Sequence, residues 1–292
     1  MRADRRTVLL GAGALTLAAC GEALEIRSDP GAWEVDLRQL EVQHGGRIGL
    51  HAMGDDMVSW RADERFTYCS TFKLFLAAAT LERAQNGEER LDRAIPITFA
   101  DMISHAPVTE PAVGRTLTIR DLCKATVEVS DNPAANILIR EMGGLEAWKA
   151  WYPSIGDAVT RVDRLEPQLN QTGDERDTTT PAQTVANLWT VLTKRPGLLN
   201  DDHRTMLEQW LFDSPTGLGR IKAGVPAGWR VAHKTGTSGD GLANDIGVIY
   251  PPSGEPIRIA VYYAGTADQT DAQREAVIAE ATRLALKALG HG

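Results

Sequence analysis

Cysteine is scarce in this chain, at three in 292 residues, so a disulfide scaffold is excluded. Clustered positive charge is also missing. No run of five or more Lys or Arg occurs and the formal net charge is −8, which argues against a nucleic-acid partner. The six histidines (His44, His51, His105, His203, His233 and His291) form no HExxH, and no CxxC is present, so no metal site is expected. No GxGxxG or P-loop follows a strand-like segment, and GxSxG is absent; Gly236-Thr237-Ser238-Gly239 is only a near miss. No cofactor is expected. Beyond the first twenty residues, no segment is apolar over the roughly 20 residues that a spanning helix needs. What remains is ordinary globular composition, 43% hydrophobic and 24% charged, which rules out a disordered or fibrous chain.

The first twenty residues read as an address. Arg2, Arg5 and Arg6 precede a short apolar run from Val8 to Ala19, the anatomy of an export signal. Asp4-Arg5-Arg6-Thr7-Val8-Leu9 resembles a twin-arginine signal. Leu17-Ala18-Ala19-Cys20 resembles a lipobox, in which Cys20 is lipidated and tethers the protein to a membrane. The alternatives are an ordinary cleaved signal and an uncleaved anchor. The expected location is the periplasm or cell envelope. Loss of residues 1–19 leaves the mature chain more acidic, which suits a small-molecule partner and not an anionic polymer.

Arg47 to Met53 and Met57 to Trp60, joined by Gly54-Asp55-Asp56, predict a hairpin. Helical spacing begins at residues 71–84, with Leu74, Ala77, Ala78 and Leu81 on one stripe. It recurs over 119–127, 133–142, 145–152, 181–194 and 201–212. The helix at 181 carries a start signal: Thr180 as cap, Pro181 in the first turn, and Gln183 to complete a capping box. Strands are predicted over 229–236, 244–250 and 257–263, and a last amphipathic helix stops at Gly290. With β elements at both ends and helices between, the expected class is α+β and two-lobed. An antiparallel five-stranded sheet flanked by terminal helices (30–62 and 213–290) would face an all-helical lobe (69–212) across a ligand cleft. Residues 20–292 would be the catalytic unit, and a monomer is expected.

Three short segments carry chemistry. In Ser70-Thr71-Phe72-Lys73, the i,i+3 spacing puts a hydroxyl and an amine on one helix face. A serine hydroxyl needs an adjacent base to attack, and a lysine shielded from water can serve as one. Ser130-Asp131-Asn132 lies between two helices, and Lys234-Thr235-Gly236 ends a strand with Thr237 next. Singly, each reads as a cap, a turn or a strand edge. In this order, they resemble the S-x-x-K, S-D-N and K-T-G set of serine β-lactamases and penicillin-binding transpeptidases. Arg164-Leu165-Glu166-Pro167-Gln168-Leu169-Asn170 resembles the R-x-E-x-x-L-N loop of class A β-lactamases, a glutamate that transpeptidases lack. The resemblance spans roughly residues 30–289.

That resemblance implies hydrolysis of the β-lactam amide of penicillins and cephalosporins, hence antibiotic resistance. Ser70 would form the acyl-enzyme, with the backbone N–H groups of Ser70 and Thr237 as oxyanion hole. Lys73 or Glu166 would activate Ser70. Ser130 would pass a proton to the departing nitrogen, and Glu166 with Asn170 would hold the deacylating water. Asn132, Lys234, Thr235, Gly236, Thr237 and Arg220 would bind substrate, and His105 would line the cleft. Arg164 and Asp177 would tie the loop ends, in a loop about two residues shorter than usual. Cys69 and Cys123 would be unpaired buried thiols. The competing readings are a D-alanyl-D-alanine peptidase or transpeptidase, and a binding protein that acylates and stalls.

Overall fold

The computed structural model describes residues 32–194 and 196–291; the export signal and Cys20 lie outside them. Five antiparallel strands form the main sheet in the order Met57–Trp60, Arg47–Met53, Ile257–Ala264, Leu242–Tyr250, Arg230–Thr237. The register pairs Leu50 with Trp60, and Lys234 with Ile246. The first and last strands in sequence meet because Arg47–Met53 pairs with Ile257–Ala264. The predicted strands lie within one or two residues of these bounds.

Both faces of the sheet are covered. The terminal helices Ala32–His44 and Asp271–Ala288 bury Leu37, Val277, Ile278 and Ala281 against Ile48, Leu50, Ile259 and Val261. The opposite face presents Ala232, Ile246, Ala260 and Tyr262 to the helical lobe. Coverage on two sides explains why Ile257-Arg258-Ile259-Ala260-Val261-Tyr262-Tyr263 does not alternate apolar and polar. Among the described residues, no helix is long and apolar enough to cross a membrane.

The helical lobe is organised around Phe72–Gln85. Every residue from Phe72 to Leu81 is buried, Lys73 and Thr80 included, so this stretch is covered all round and not on one stripe. Trp148, Trp151 and Tyr152 pack beside it against Phe72 and Phe75, with Trp148 and Tyr152 rings 4.8 Å apart.

The helix predicted over 181–194 is α-helical only over Pro181–Leu188 and continues as a π-helical turn, Trp189–Thr193. There, Thr190 and Thr193 hydroxyls bond the carbonyls of Ala186 and Trp189, competing with the regular ladder. The capping box at its start is half formed. Thr180 accepts from Gln183 N, but the Gln183 side chain bonds Asn187 Oδ1, four residues on along the same helix face.

Candidate active site

The nucleophile candidate sits where two elements converge. A tight turn, Cys69–Thr71, leads into Phe72–Gln85, and Cys69 is held at φ 48°. The strand Arg230–Thr237 passes directly behind this turn. A Cβ at Gly236 would come within 2.8 Å of Tyr68 O, so only glycine allows the strand so close. Asn244 on the next strand donates to Thr67 O and Tyr68 O, pinning the same turn.

Lys73 lies one turn along and is 0% exposed. Its ammonium donates to Ser130 O at 2.8 Å, to Ser130 Oγ at 3.3 Å and to Asn132 Oδ1, and lies 3.0 Å from Glu166 Oε1. Burial pulls its pKa below the usual lysine value, against the opposing pull of the Glu166 carboxylate. Ser70 Oγ donates to the same Glu166 oxygen at 3.2 Å.

Ser130 adopts φ 60°, a left-handed turn held by its neighbours. Asp131 is fully buried; it caps the helix Asn132–Glu141 through Ala134 N and accepts from Val108 N, Thr109 N and Thr109 Oγ1. Lys234, also 0% exposed, donates to Ser130 Oγ at 3.2 Å from the opposite side. Burial and the nearby Lys73 charge push the Lys234 pKa well down. Because two ammonium groups donate to Ser130 Oγ, its own proton is free to be given away. Asn132 Nδ2 spends one N–H on Ser104 O and keeps another.

Glu166 is 2% exposed although it belongs to an irregular loop. Asn136 fixes it from the helix behind, donating to Glu166 O and accepting from Glu166 N, at a cis Glu166–Pro167 bond. Asn170 Nδ2 donates to Glu166 Oε2 at 2.7 Å, while Asn170 Oδ1 is buried with no hydrogen-bond partner. The loop is closed by Arg164 Nε on Asp177 Oδ2, and Asp177 also accepts from Asp163 N, Arg164 N and the Tyr68 hydroxyl.

Arg220 comes from the segment before Ile221 and is buried. Its Nε donates to Glu275, its Nη1 to Gly236 O and Asn244 O, and its Nη2 to Thr237 Oγ1 at 2.8 Å. Of five N–H groups, one on Nη2 is left for a ligand. Thr237 accepts from Arg220 and so keeps its own proton. His105, at φ 62°, is exposed; its Nε2 donates to Val129 O, and its carbonyl accepts from Asn132 N.

Ser70, Lys73, Ser130, Asn132, Glu166 and Lys234 are therefore joined by direct hydrogen bonds or ion pairs. Gly236, Thr237 and Arg220 form the adjoining wall, and Asn170 and His105 reach the group through Glu166 and Asn132. Sequence reading missed Asn136, Asn244 and Glu275. Each contacts its target through a single side chain from a distant element, and nothing local marks it. Cys69 and Cys123 are buried and free, and burial pushes the Cys123 thiol up to about 12. Among the described residues, no cluster of three His, Cys, Asp or Glu side chains could hold a metal ion.

A serine and a buried lysine bonded to one carboxylate oxygen, with a second buried lysine on Ser130, define a two-lobed serine acyl-transfer enzyme. The model of the β-lactamase enzyme family matches residues 33–289. The chain is 42% identical over 260 residues to β-lactamase L2 of Stenotrophomonas maltophilia, covering 87% of this chain and 85% of that protein. It is 42% identical to a carbapenem-hydrolysing β-lactamase KPC of Klebsiella oxytoca, covering 86% and 87%. Among solved structures, it is similar to an ancestral class A β-lactamase (GNCA), with TM-score 0.82, 47% identity and 88% and 99% of the two chains covered. It is also similar to the class A β-lactamase of Mycobacterium abscessus, with TM-score 0.84, 42% identity and 88% and 99% coverage. The chain belongs to the β-lactamase enzyme family and is a class A enzyme, a hydrolase acting on β-lactams.

Proposed function

We propose that Ser70 opens the β-lactam amide of penicillins and cephalosporins and that the resulting ester is hydrolysed by water held at Glu166. The observation that carries this reading is the Ser70–Glu166–Lys73 contact set, in which Glu166 and Lys73 are buried, with Asn170 on the other carboxylate oxygen. Ser70 gives its one proton to Glu166 Oε1 or to Lys73 as it attacks, and Glu166 is again a carboxylate before deacylation begins. The backbone N–H groups of Ser70 and Thr237 stabilise the oxyanion, where one such donor is worth about 10²–10³ in rate. Ser130 protonates the departing nitrogen, and its proton is replaced from the lysines on either side. Glu166 then takes a proton from the water, whose second hydrogen the unpartnered Asn170 Oδ1 is free to accept.

The carboxylate of the substrate meets Lys234, Thr235, Thr237 and the remaining N–H of Arg220, with Gly236 letting this strand lie close against the Ser70 turn. Asn132 contacts the side-chain amide and His105 walls the cleft. No metal or cofactor enters this scheme. The chain acts as a monomer, exported by residues 1–19 and tethered through a lipidated Cys20, with the two lobes divided at 30–62 plus 213–290 and 69–212.

Replacing Glu166 with Ala tests it. The change removes the charge that holds up the Lys73 pKa, so burial leaves more of that amine neutral and able to take the Ser70 proton, and Ser70 still acylates. Intact mass after benzylpenicillin should show a persistent adduct. Normal turnover by that variant would overturn the assignment, and cleavage of a D-Ala-D-Ala peptide by the wild type would favour the transpeptidase reading.

A further inference from the structure

The hydroxyls of the carboxylate wall differ in where their protons point. Ser214, 2% exposed, donates from Oγ to the carbonyl of Glu128 at 3.0 Å. A carbonyl only accepts, so this direction is fixed. Ser214 Oγ is also 2.9 Å from Thr216 Oγ1. With its one hydrogen spent, Ser214 must accept there, and Thr216 donates. Thr216 Oγ1 is in turn 2.9 Å from Thr235 Oγ1. Its hydrogen is spent too, so Thr235 donates to Thr216. Thr235 is left with lone pairs only, whereas Thr237 accepts from Arg220 and keeps its proton.

We propose that Thr216 sets the enzyme's affinity for the substrate carboxylate. It is the acceptor that competes with that carboxylate for the Thr235 proton, through a hydroxyl chain ordered from Glu128 in the helical lobe. Thr216 is a positioning residue; its side chain need not touch substrate. The proposal rests on the reading that Thr235 binds the carboxylate.

A lone pair facing a carboxylate repels it, so binding must first break the Thr235–Thr216 bond and turn the hydroxyl. Thr216→Val keeps the shape and removes the acceptor. Its KM for benzylpenicillin should fall about fivefold, which corresponds to about 1 kcal/mol for one neutral hydrogen bond, with kcat within about twofold. The benzylpenicillin methyl ester, which has no carboxylate, should show no such gain. Thr216→Ser keeps the acceptor and should match the wild type. Ser214→Ala gives a second route: Thr216 can then turn its proton to Thr235, and the same KM decrease should follow.

Thr235→Val separates the two claims. If it leaves the KM for benzylpenicillin unchanged, Thr235 does not bind the carboxylate and the underlying reading fails. If it raises that KM while Thr216→Val and Ser214→Ala do not lower it, or shift acid and ester alike, the hydroxyl chain is only structural and the proposal is overturned.

Discussion

Lys73 Nζ lies 3.0 Å from Glu166 Oε1 with both side chains wholly buried. Two opposite charges withdrawn from water gain little net stability, because desolvation cancels most of their attraction. The pair instead links the amine to the serine through a single carboxylate oxygen, Glu166 Oε1, which also accepts from Ser70 Oγ.

The first prediction concerns that proton. In Glu166→Ala, the adduct should form faster as pH rises, because only neutral Lys73 accepts a proton and burial holds its pKa below the usual lysine value. Adding Lys73→Arg keeps a positive charge that cannot be lost. Adduct formation, followed by mass against time, should then slow by at least about 10²-fold. Equal rates in the two variants would remove Lys73 from the chemistry.

Asn136 holds Glu166 through two main-chain bonds without facing the serine. Asn136→Asp keeps the shape but sets a carboxylate against Glu166 O. Deacylation should slow more than acylation, so a pre-steady-state burst of product should appear with nitrocefin. An unchanged ratio of the two rates would show that the loop backbone holds Glu166 unaided.

Arg220→Lys should raise KM for benzylpenicillin by roughly 10-fold or more with a smaller effect on kcat, since bonds to charged groups are worth about 1.5–3 kcal/mol. A lysine cannot reproduce a fork that reaches Gly236 O, Asn244 O and Thr237 at once. Retained KM would place Arg220 in the scaffold alone.

Acid stability should report on Glu41. Burial raises its pKa, but bonds from Arg61, Ile48 N and Trp60 together outweigh this and leave it lowered. A carboxyl lowered in the folded state stabilises above its unfolded pKa of about 4.3 and loses that contribution as pH falls through the folded value. Arg61→Gln should therefore cost about 1 kcal/mol or less at pH 7, as the Arg61 side chain is 35% exposed. Its denaturation midpoint should converge on that of the wild type below about pH 4. A gap that persists at low pH would deny the ion pair its role.

Much of the site was legible because its chemistry is packed into short segments. Ser70 lies in the turn that opens the helix of Lys73, Ser130 to Asn132 form one turn, and Lys234 to Thr237 end one strand. The strands at 230–237, 242–250 and 257–264 announced themselves by β-rich runs and turn residues between them. The π-helical turn after Leu188 did not, because it depends on which carbonyls two threonine hydroxyls capture.

The sequence by itself determined the order of the motifs, the helix and strand spacing, and the residue types able to attack, donate and accept. Only the tertiary structure decided that Lys73 and Lys234 are dry, that both bond Ser130, and that Thr235 and Thr237 point their protons differently. Burial and hydrogen-bond direction depend on what a distant segment brings to the same point. Such neighbours, from Asn136 to Ser214, leave no periodic trace along the chain.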